Sequence, residues 1–403
     1  MLLSLCEEVR MIRRLLLGAM AALAFHGAVR AADTIKVGVM LVDSGPLAFI
    51  QPLYTEPAKL AVEMINAQGG VLGRKFELVT RSHSGTPAGA IATATKLVQQ
   101  DGTAFLTGFN TSAAVLALGP KLGALDALLI DATTSSDDQT GKNCQANYFR
   151  TTVNDSMAVN VLRPAVAKSG GKTWNLIVPD YAFGHSFAKR FKALVEEQGG
   201  TLQTLVFAPT ATADFGSMIS QLAAKPADGL GVVVLGNDAI SFAKQQQQFG
   251  LFAKFKTVVA LQFTNEVVLG AQGDSTVGTY VAQSYLASMP GERNAAFVKA
   301  FEARFKRPPY YIEADQYQVY ELLRAAIEKA QSTDVAAVRA ALASLKANTI
   351  LGSVEMRASD HQLSRPMVLA QIVRGADGQA VPALRAVEPA SVVMPPPSPE
   401  CKL

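Results

Sequence analysis

The sequence predicts an α/β protein in which buried strands alternate with amphipathic helices. Two regularities carry that expectation. Short apolar runs rich in β-branched residues recur along the chain, each closed by a glycine or polar turn, and between them apolar residues repeat at helical spacing. The third observation is the opening unit, residues 34–79, TIKVGVMLVDSGPLAFIQPLYTEPAKLAVEMINAQGGVLGRKFELV.

Within that unit Thr34 to Val42 reads as a buried strand, broken by Ser44-Gly45-Pro46. From Thr55 to Ala67 the residues Leu60, Ala61, Met64 and Ile65 recur on one helical face, and Gly69-Gly70 supplies a left-handed cap. A second strand follows from Lys75 to Thr80. Strand, loop, helix, glycine turn and strand make the opening βαβ unit of a doubly wound sheet. Small ligands sit beyond the carboxyl ends of such strands, which places the loop at Ser44 at a site. The strands KFELV, AFLTG and ALLIDAT continue the pattern to about Val153. From Asn154 a new alternation begins: a helix to Lys168, strand WNLIVPD, a helix from Ser186 to Gln198, strand LQTLVFA, a helix from Phe215 to Ala224, strand GLGVVVLG, a helix from Ile240 to Phe249, and strand KTVVALQ. Helices from Glu292 to Phe305 and Ala314 to Gln331 and the strand MVLAQIVR complete it. No internal repeat is visible, and the glutamines 245–248 read as one turn of a solvated helix face.

A chain of 403 residues, 49% hydrophobic and 17% charged, can bury a large core, and its length favours two domains. Residues 1–31 read as a signal peptide: basic Arg13-Arg14, an apolar run from Leu15 to Phe25, and Val29-Arg30-Ala31 before cleavage. That run of about 11 residues is too short to span a bilayer. Met1 and Met11 are alternative starts. Removing the leader takes away four arginines and two glutamates, so the net charge falls from +4 to +2 and a nucleic-acid partner loses its electrostatic argument. The expected product is a soluble protein exported to the periplasm. Only Cys144 and Cys401 survive cleavage. In an oxidising compartment they can pair and pin the Pro-rich tail MPPPSPECKL near Gly141, the alternative being one buried thiol and one free end.

Beyond these patterns the motifs VGVMLVDSGPLA, INAQGGVLGRKFEL, FLTGFNTSAAVLAL, FRTTVNDS, VPDYAFG and DHQLSRP, in this order, resemble the leucine/isoleucine/valine-binding family of type I periplasmic binding proteins. The resemblance implies two doubly wound, three-layer α/β/α lobes joined by a three-stranded hinge. The first lobe would hold residues 33–153 and 286–355 and the second 154–285 and 356–386, with crossings near Asn154, Tyr285 and Met356 and a tail at 387–403. It also implies a monomeric solute-binding protein of an ABC importer, not an enzyme, with no cofactor and an inner-membrane permease as partner. The disulfide of the family's best-studied members has no counterpart, since the positions near His83 and at Thr111 lack cysteine.

A zwitterionic amino acid needs donors for its carboxylate, an acid for its ammonium and an apolar wall. By motif, Ser112 matches the serine that holds the ligand carboxylate at a helix start, where free N–H groups favour an anion. Asn110 and Thr111 share its loop, Thr133, Thr134 and Ser135 match a second carboxylate-holding loop, and Phe183, with Tyr181 beside it, matches the closing aromatic. Ser112 and Ser135 could equally be helix caps. Gln262 falls where the family carries its ammonium-binding glutamate, and an amide cannot neutralise a buried ammonium. Unless Glu266 or Asp238 substitutes, an aromatic or aliphatic acid fits better than an amino acid. A periplasmic sensor would share every one of these features. The remote enzyme reading is a serine hydrolase: GHSFA, with Ser186 and downstream His361, approaches a nucleophile elbow but lacks the last glycine. The three mature histidines have no metal-ligand spacing, and no P-loop is present.

Overall fold

Strand-forming segments assemble into two separate sheets, each built around the same parallel order. The computed structural model describes residues 34–44, 48–108 and 111–403. The expected leader, its cleavage site, the choice of start and Asn110 lie outside the described residues. In the first sheet β1 (Ile35–Val42) is flanked by β2 (Phe76–His83) and β3 (Phe105–Gly108), followed by β4 (Leu128–Asp131) and β5 (Tyr148–Arg150), all parallel. In the second, β6 (Thr173–Pro179) is flanked by β7 (Thr201–Ala208) and β8 (Gly229–Val232), followed by β9 (Thr257–Leu261) and β10 (Tyr280–Gln283), again parallel. Helices cover both sheets through apolar faces, and each sheet therefore has a switch point, β1/β3 or β6/β8, where ligands bind in doubly wound folds.

The remaining strands show where the chain crosses between sheets. β11 (Lys346–Thr349), β12 (Gly352–Arg357) and β13 (Gln362–Ser364) extend the first sheet beside β5, while β14 (Met367–Arg374) and β15 (Ala380–Glu388) pair antiparallel beside β10. The third crossing thus falls between Ser364 and Met367, not near Met356. Met356 itself is paired with Leu363 inside the first sheet. Helices also begin earlier than periodicity suggested, at Pro52 rather than Thr55 and at Ala182 rather than Ser186, because proline and small residues fill first turns that carry no apolar repeat.

Glycines in two matched motifs have a steric reason. A Cβ on Gly108, at φ +114°, would lie 2.1 Å from the Met40 carbonyl oxygen, and one on Gly184 would lie 1.9 Å from that of Pro179. Both sit at a switch point, where backbone must approach a strand end.

The crossings converge on one buried pair. Arg365, on the third crossing and wholly buried, pairs with Asp315 at 2.5 Å, and its guanidinium also donates to the carbonyls of Thr151 on the first crossing and Ser284 on the second. Asp315 in turn accepts from the hydroxyls of Thr152 and Ser284. Arg150, equally buried, reaches Gln362, Ser136, Gln139 and Thr140, and the Gln362 amide donates to the carbonyl of Thr152. The motifs FRTTVNDS and DHQLSRP are therefore two halves of one hinge network.

A fourth connection is covalent. After β15 the helix Ala390–Val393 packs on the second-sheet side, where its Val393 carbonyl accepts from Asn160; Pro395 then accepts from Arg357 of the first sheet, and Cys401 is disulfide-bonded to Cys144, Cα atoms 5.5 Å apart. The bridge closes a loop across 257 residues and stabilises by about 2–4 kcal/mol through restriction of the unfolded chain. Among the described residues no helix is long and apolar enough to cross a membrane.

Removing one partner of a buried ion pair leaves the other charge without compensation. Arg365→Met should therefore lower the unfolding free energy by about 3–5 kcal/mol in urea titration; a loss below about 1 kcal/mol would show that the three crossings do not depend on this pair.

Candidate functional site

Both switch points open onto one cavity of about 440 Å³ between the sheets. Its lining comes from the segments beyond β1 (Phe49, Ile50, Tyr54), β3 (Thr111, Ser112, Ala113), β4 (Ala132 to Ser135), β6 (Tyr181 to Phe183), β8 (Val234 to Gly236, Asp238) and β9 (Gln262, Asn265). The hinge side supplies Thr152, Gln283, Ser284 and Asp315. The volume suits a small organic molecule, and the walls are mainly apolar with a few polar groups, as in small-molecule sites generally.

On the first-sheet wall the polar groups divide into those already engaged and those left over. Thr111, not Ser112, caps the helix Ser112–Leu118: its Oγ1 accepts from the Ala114 N–H and donates to the Gly85 carbonyl. Ser112 is thereby released from capping, and the first-turn N–H groups of Ser112 and Ala113 have no intrahelical partner. The next loop is built on Asp131, whose carboxylate accepts from the N–H groups of Thr133 and Thr134 and from the hydroxyls of Thr134 and Tyr148. Burial, opposed by these bonds, pushes the Asp131 carboxyl upward. The Thr133 hydroxyl donates to the Gly108 carbonyl at 2.6 Å. Thr133 and Thr134 thus line the cavity while their hydroxyl protons shape the loop. Ser135 lines it too, its carbonyl accepting from Asp155 at the start of the helix Asp155–Lys168. Ser44 is exposed and is not among the lining residues. Phe49, Ile50 and Tyr54 carry that loop's contribution, which no motif had indicated.

On the opposite wall Tyr181 and Phe183 stand with ring centroids 6.0 Å apart. Phe183 is also packed into the second lobe's core at 4% exposure, so it is both wall and core, whereas Tyr181 is 38% exposed and the freer of the two. Gln262 lines the cavity in a left-handed conformation, φ +57°, with its carbonyl accepting from Asn265. Of the two acids that could replace the missing glutamate, Asp238 lines the cavity, accepts from the Ala211 N–H and is raised by burial. Glu266 does not line it. Its carboxyl is buried beside Glu313 and pushed up to about 7, chiefly by burial, with Glu313 adding and Arg307 opposing.

Asp155, whose N–H donates to the carbonyl of the lining residue Ser135, is fully buried and raised well above the usual range by burial and by Asp137, with the Ser186 and Ser135 hydroxyls opposing. Ser186 lies inside the helix Ala182–Glu197 rather than on a strand-to-helix turn. His361 is buried against Phe149, with Nδ1 at 3.1 Å from the Tyr148 carbonyl. Neither geometry is that of a nucleophile elbow with its base.

Comparison with known proteins agrees with this geometry. The family model described as Periplasmic binding protein matches residues 34–379. The leucine-, isoleucine-, valine-, threonine-, and alanine-binding protein of Pseudomonas aeruginosa is 28% identical over 343 residues, which cover 83% of this chain and 88% of that protein. A solute binding protein of an ABC transporter from Rhodopseudomonas palustris, in complex with 3,4-dihydroxy benzoic acid, superposes with TM-score 0.81 at 22% identity, covering 89% of this chain and 98% of that one. The closed leucine-, isoleucine-, valine-, threonine-, and alanine-binding protein of Brucella ovis gives TM-score 0.83 at 20% identity, covering 92% and 99%.

The raised Glu266 carboxyl has a thermodynamic consequence. Between an ordinary value of 4.5 and about 7 the folded chain holds a proton that the unfolded chain has released, so stability falls as pH rises through that window. Melting temperatures measured from pH 4.5 to 8 should show Glu266→Gln flattening this decline relative to the parent; identical slopes would place the Glu266 carboxyl in water.

Proposed function

We propose, from the premise that the chain belongs to the periplasmic binding protein family, that it is the solute-binding component of an ABC importer and captures a small hydrophobic carboxylic acid between two lobes. The family is extracytoplasmic and binds substrates rather than transforming them. The carrying observation is the division of labour around the helix start at Ser112. With Thr111 as cap, the Ser112 hydroxyl and two first-turn N–H groups face a cavity whose lining contains no lysine or arginine among the described residues. An anion held by neutral donors at a helix start is a stable arrangement. The ring or chain of the ligand would rest against Tyr181, Phe183, Phe49 and Tyr54. Asn110, in the same loop as Ser112, belongs to this proposal by motif alone.

In this reading the first lobe holds the residues up to β5 together with 286–364, and the second those from Asn154 to β10 together with β14 and β15; membership of the two sheets supports the division. Closure about the three crossings would be a population shift driven by contacts made only when both walls touch the ligand. The closed protein, exported by its leader as a monomer, would then present both lobes to an inner-membrane permease.

A second reading rests on Asp238. As a lining carboxylate it could take the ammonium of a hydrophobic amino acid, the role for which Gln262 lacks charge. The relatives of this fold divide along the same line, one holding a dihydroxybenzoic acid and another named for leucine, isoleucine, valine, threonine and alanine.

Thermal shift of the chain from Ala32, with 4-hydroxybenzoate and leucine each in millimolar excess, separates the two readings, since a ligand of the folded state raises the melting temperature. The acid reading predicts a shift with 4-hydroxybenzoate and none with leucine. The reverse result, abolished in Asp238→Asn, would establish the amino acid. In either case Ser112→Ala should weaken binding by about 1–3 kcal/mol, the worth of one hydrogen bond to a charged group. Undiminished affinity would remove Ser112 from the site.

A further inference from the structure

We infer that Gln283 is a second polar subsite of the cavity, and that it selects a solute carrying, besides its carboxylate, a hydroxyl or carboxamide. This rests on the acid-binding reading above and extends it.

Gln283 ends β10 on the hinge side of the cavity, 4% exposed, and among the described residues neither its Nε2 nor its Oε1 has a hydrogen-bond partner. Each polar atom left in that state costs about 1–3 kcal/mol, so burial of an amide with both ends free is unusual in a well-packed lobe. Gln283 is one of the residues that line the cavity. Its position is fixed on rigid structure: the backbone of Gln283 pairs with Val368 of β14, and the next residue, Ser284, is held on both sides, its hydroxyl donating to Asp315 and its carbonyl accepting from Arg365. A side chain that cannot be satisfied by its own fold and is held still at the edge of a binding cavity is preorganised for a ligand.

Amide chemistry defines the ligand group. A primary amide presents two donors and one acceptor oxygen side by side. A carboxylate would engage only the donors, and an ammonium only the acceptor. A hydroxyl or a carboxamide, which donates and accepts at once, satisfies both ends. Asp315, a lining acid on the hinge side, is already paired with Arg365 and holds two hydroxyls, so it does not compete for that group. The sequence carried a faint sign, a polar residue closing the buried strand YVAQ, which no motif singled out.

The test compares benzoate with its 2-, 3- and 4-hydroxy derivatives, and leucine, by calorimetric titration of the parent, Gln283→Met and Gln283→Leu, with melting temperatures of the unliganded proteins. The parent should bind one hydroxybenzoate at least about tenfold more tightly than benzoate, because a site built to hydrogen-bond a hydroxyl rejects the analogue lacking it. In Gln283→Met that ratio should fall to near one, and the unliganded melting temperature should hold or rise as an orphaned amide is removed. An unchanged ratio, no preference in the parent, or a fall in melting temperature in both variants would overturn the subsite while leaving the acid reading standing. Absence of binding by every benzoate, with or without binding of leucine, would overturn the acid reading and the subsite with it.

Discussion

The three crossings between the sheets meet on one buried ion pair, Arg365 with Asp315. Arg365 and Asp315 are out of water, which by itself is costly. The cost is offset because the pair, with Arg365 itself on the third crossing, draws neutral partners from the other two: carbonyls of Thr151 and Ser284 on the guanidinium, hydroxyls of Thr152 and Ser284 on the carboxylate. An apolar contact at this junction could bury as much surface but could not fix three strands in register. Directional bonds to backbone carbonyls can. Hydrogen bonds thus tie the three crossings to one another where they meet.

The same junction forms one side of the cavity, which explains how polar groups are shared between architecture and binding. Thr111, Thr133, Thr134, Asp131 and Asp315 line or support the cavity with their hydrogen-bonding capacity spent on shaping it. Other lining polar groups are not spent in this way, among them the Ser112 end, Gln262 and Gln283, with Asp238 only partly engaged. Selectivity in a cavity with apolar walls comes from such residual groups, because apolar contact alone discriminates poorly between molecules of similar size. The tail adds a covalent tie across the hinge through Cys144 and Cys401, a connection beyond the three crossings.

Much of this was legible in the sequence. The alternation of strands and helices came from periodicity, and the helix Glu292–Phe305 and the strand Met367–Arg374 match their expected bounds. Helix starts were missed by a turn at Pro52 and Ala182, because first turns carry no apolar repeat. The third crossing was placed too early because Met356 and Leu363 are apolar residues on short strands that either sheet could have accepted; only the pairing of β12 and β13 decides it. Motifs located the walls containing Ser112, Ser135, Tyr181, Phe183 and Gln262, but could not tell which hydroxyls were engaged. That distinction depends on partners distant in sequence, such as Gly85 for Thr111 and Gly108 for Thr133. Ser44 was misplaced and Phe49 overlooked for a related reason: a loop's position along the chain does not say which of its residues turns inward. Gln283 escaped because an orphaned amide is defined by missing partners, which no local pattern records.

The central claim is that the first lobe anchors a solute by its carboxylate. Isothermal titration with 4-hydroxybenzoate and with 4-hydroxybenzamide, its neutral counterpart of nearly the same shape, tests that claim most directly. The account predicts binding of the acid and at least about tenfold weaker binding of the amide, because the anion gains from the helix start at Ser112 what the neutral group does not. Equal affinities, or a preference for the amide, would contradict it.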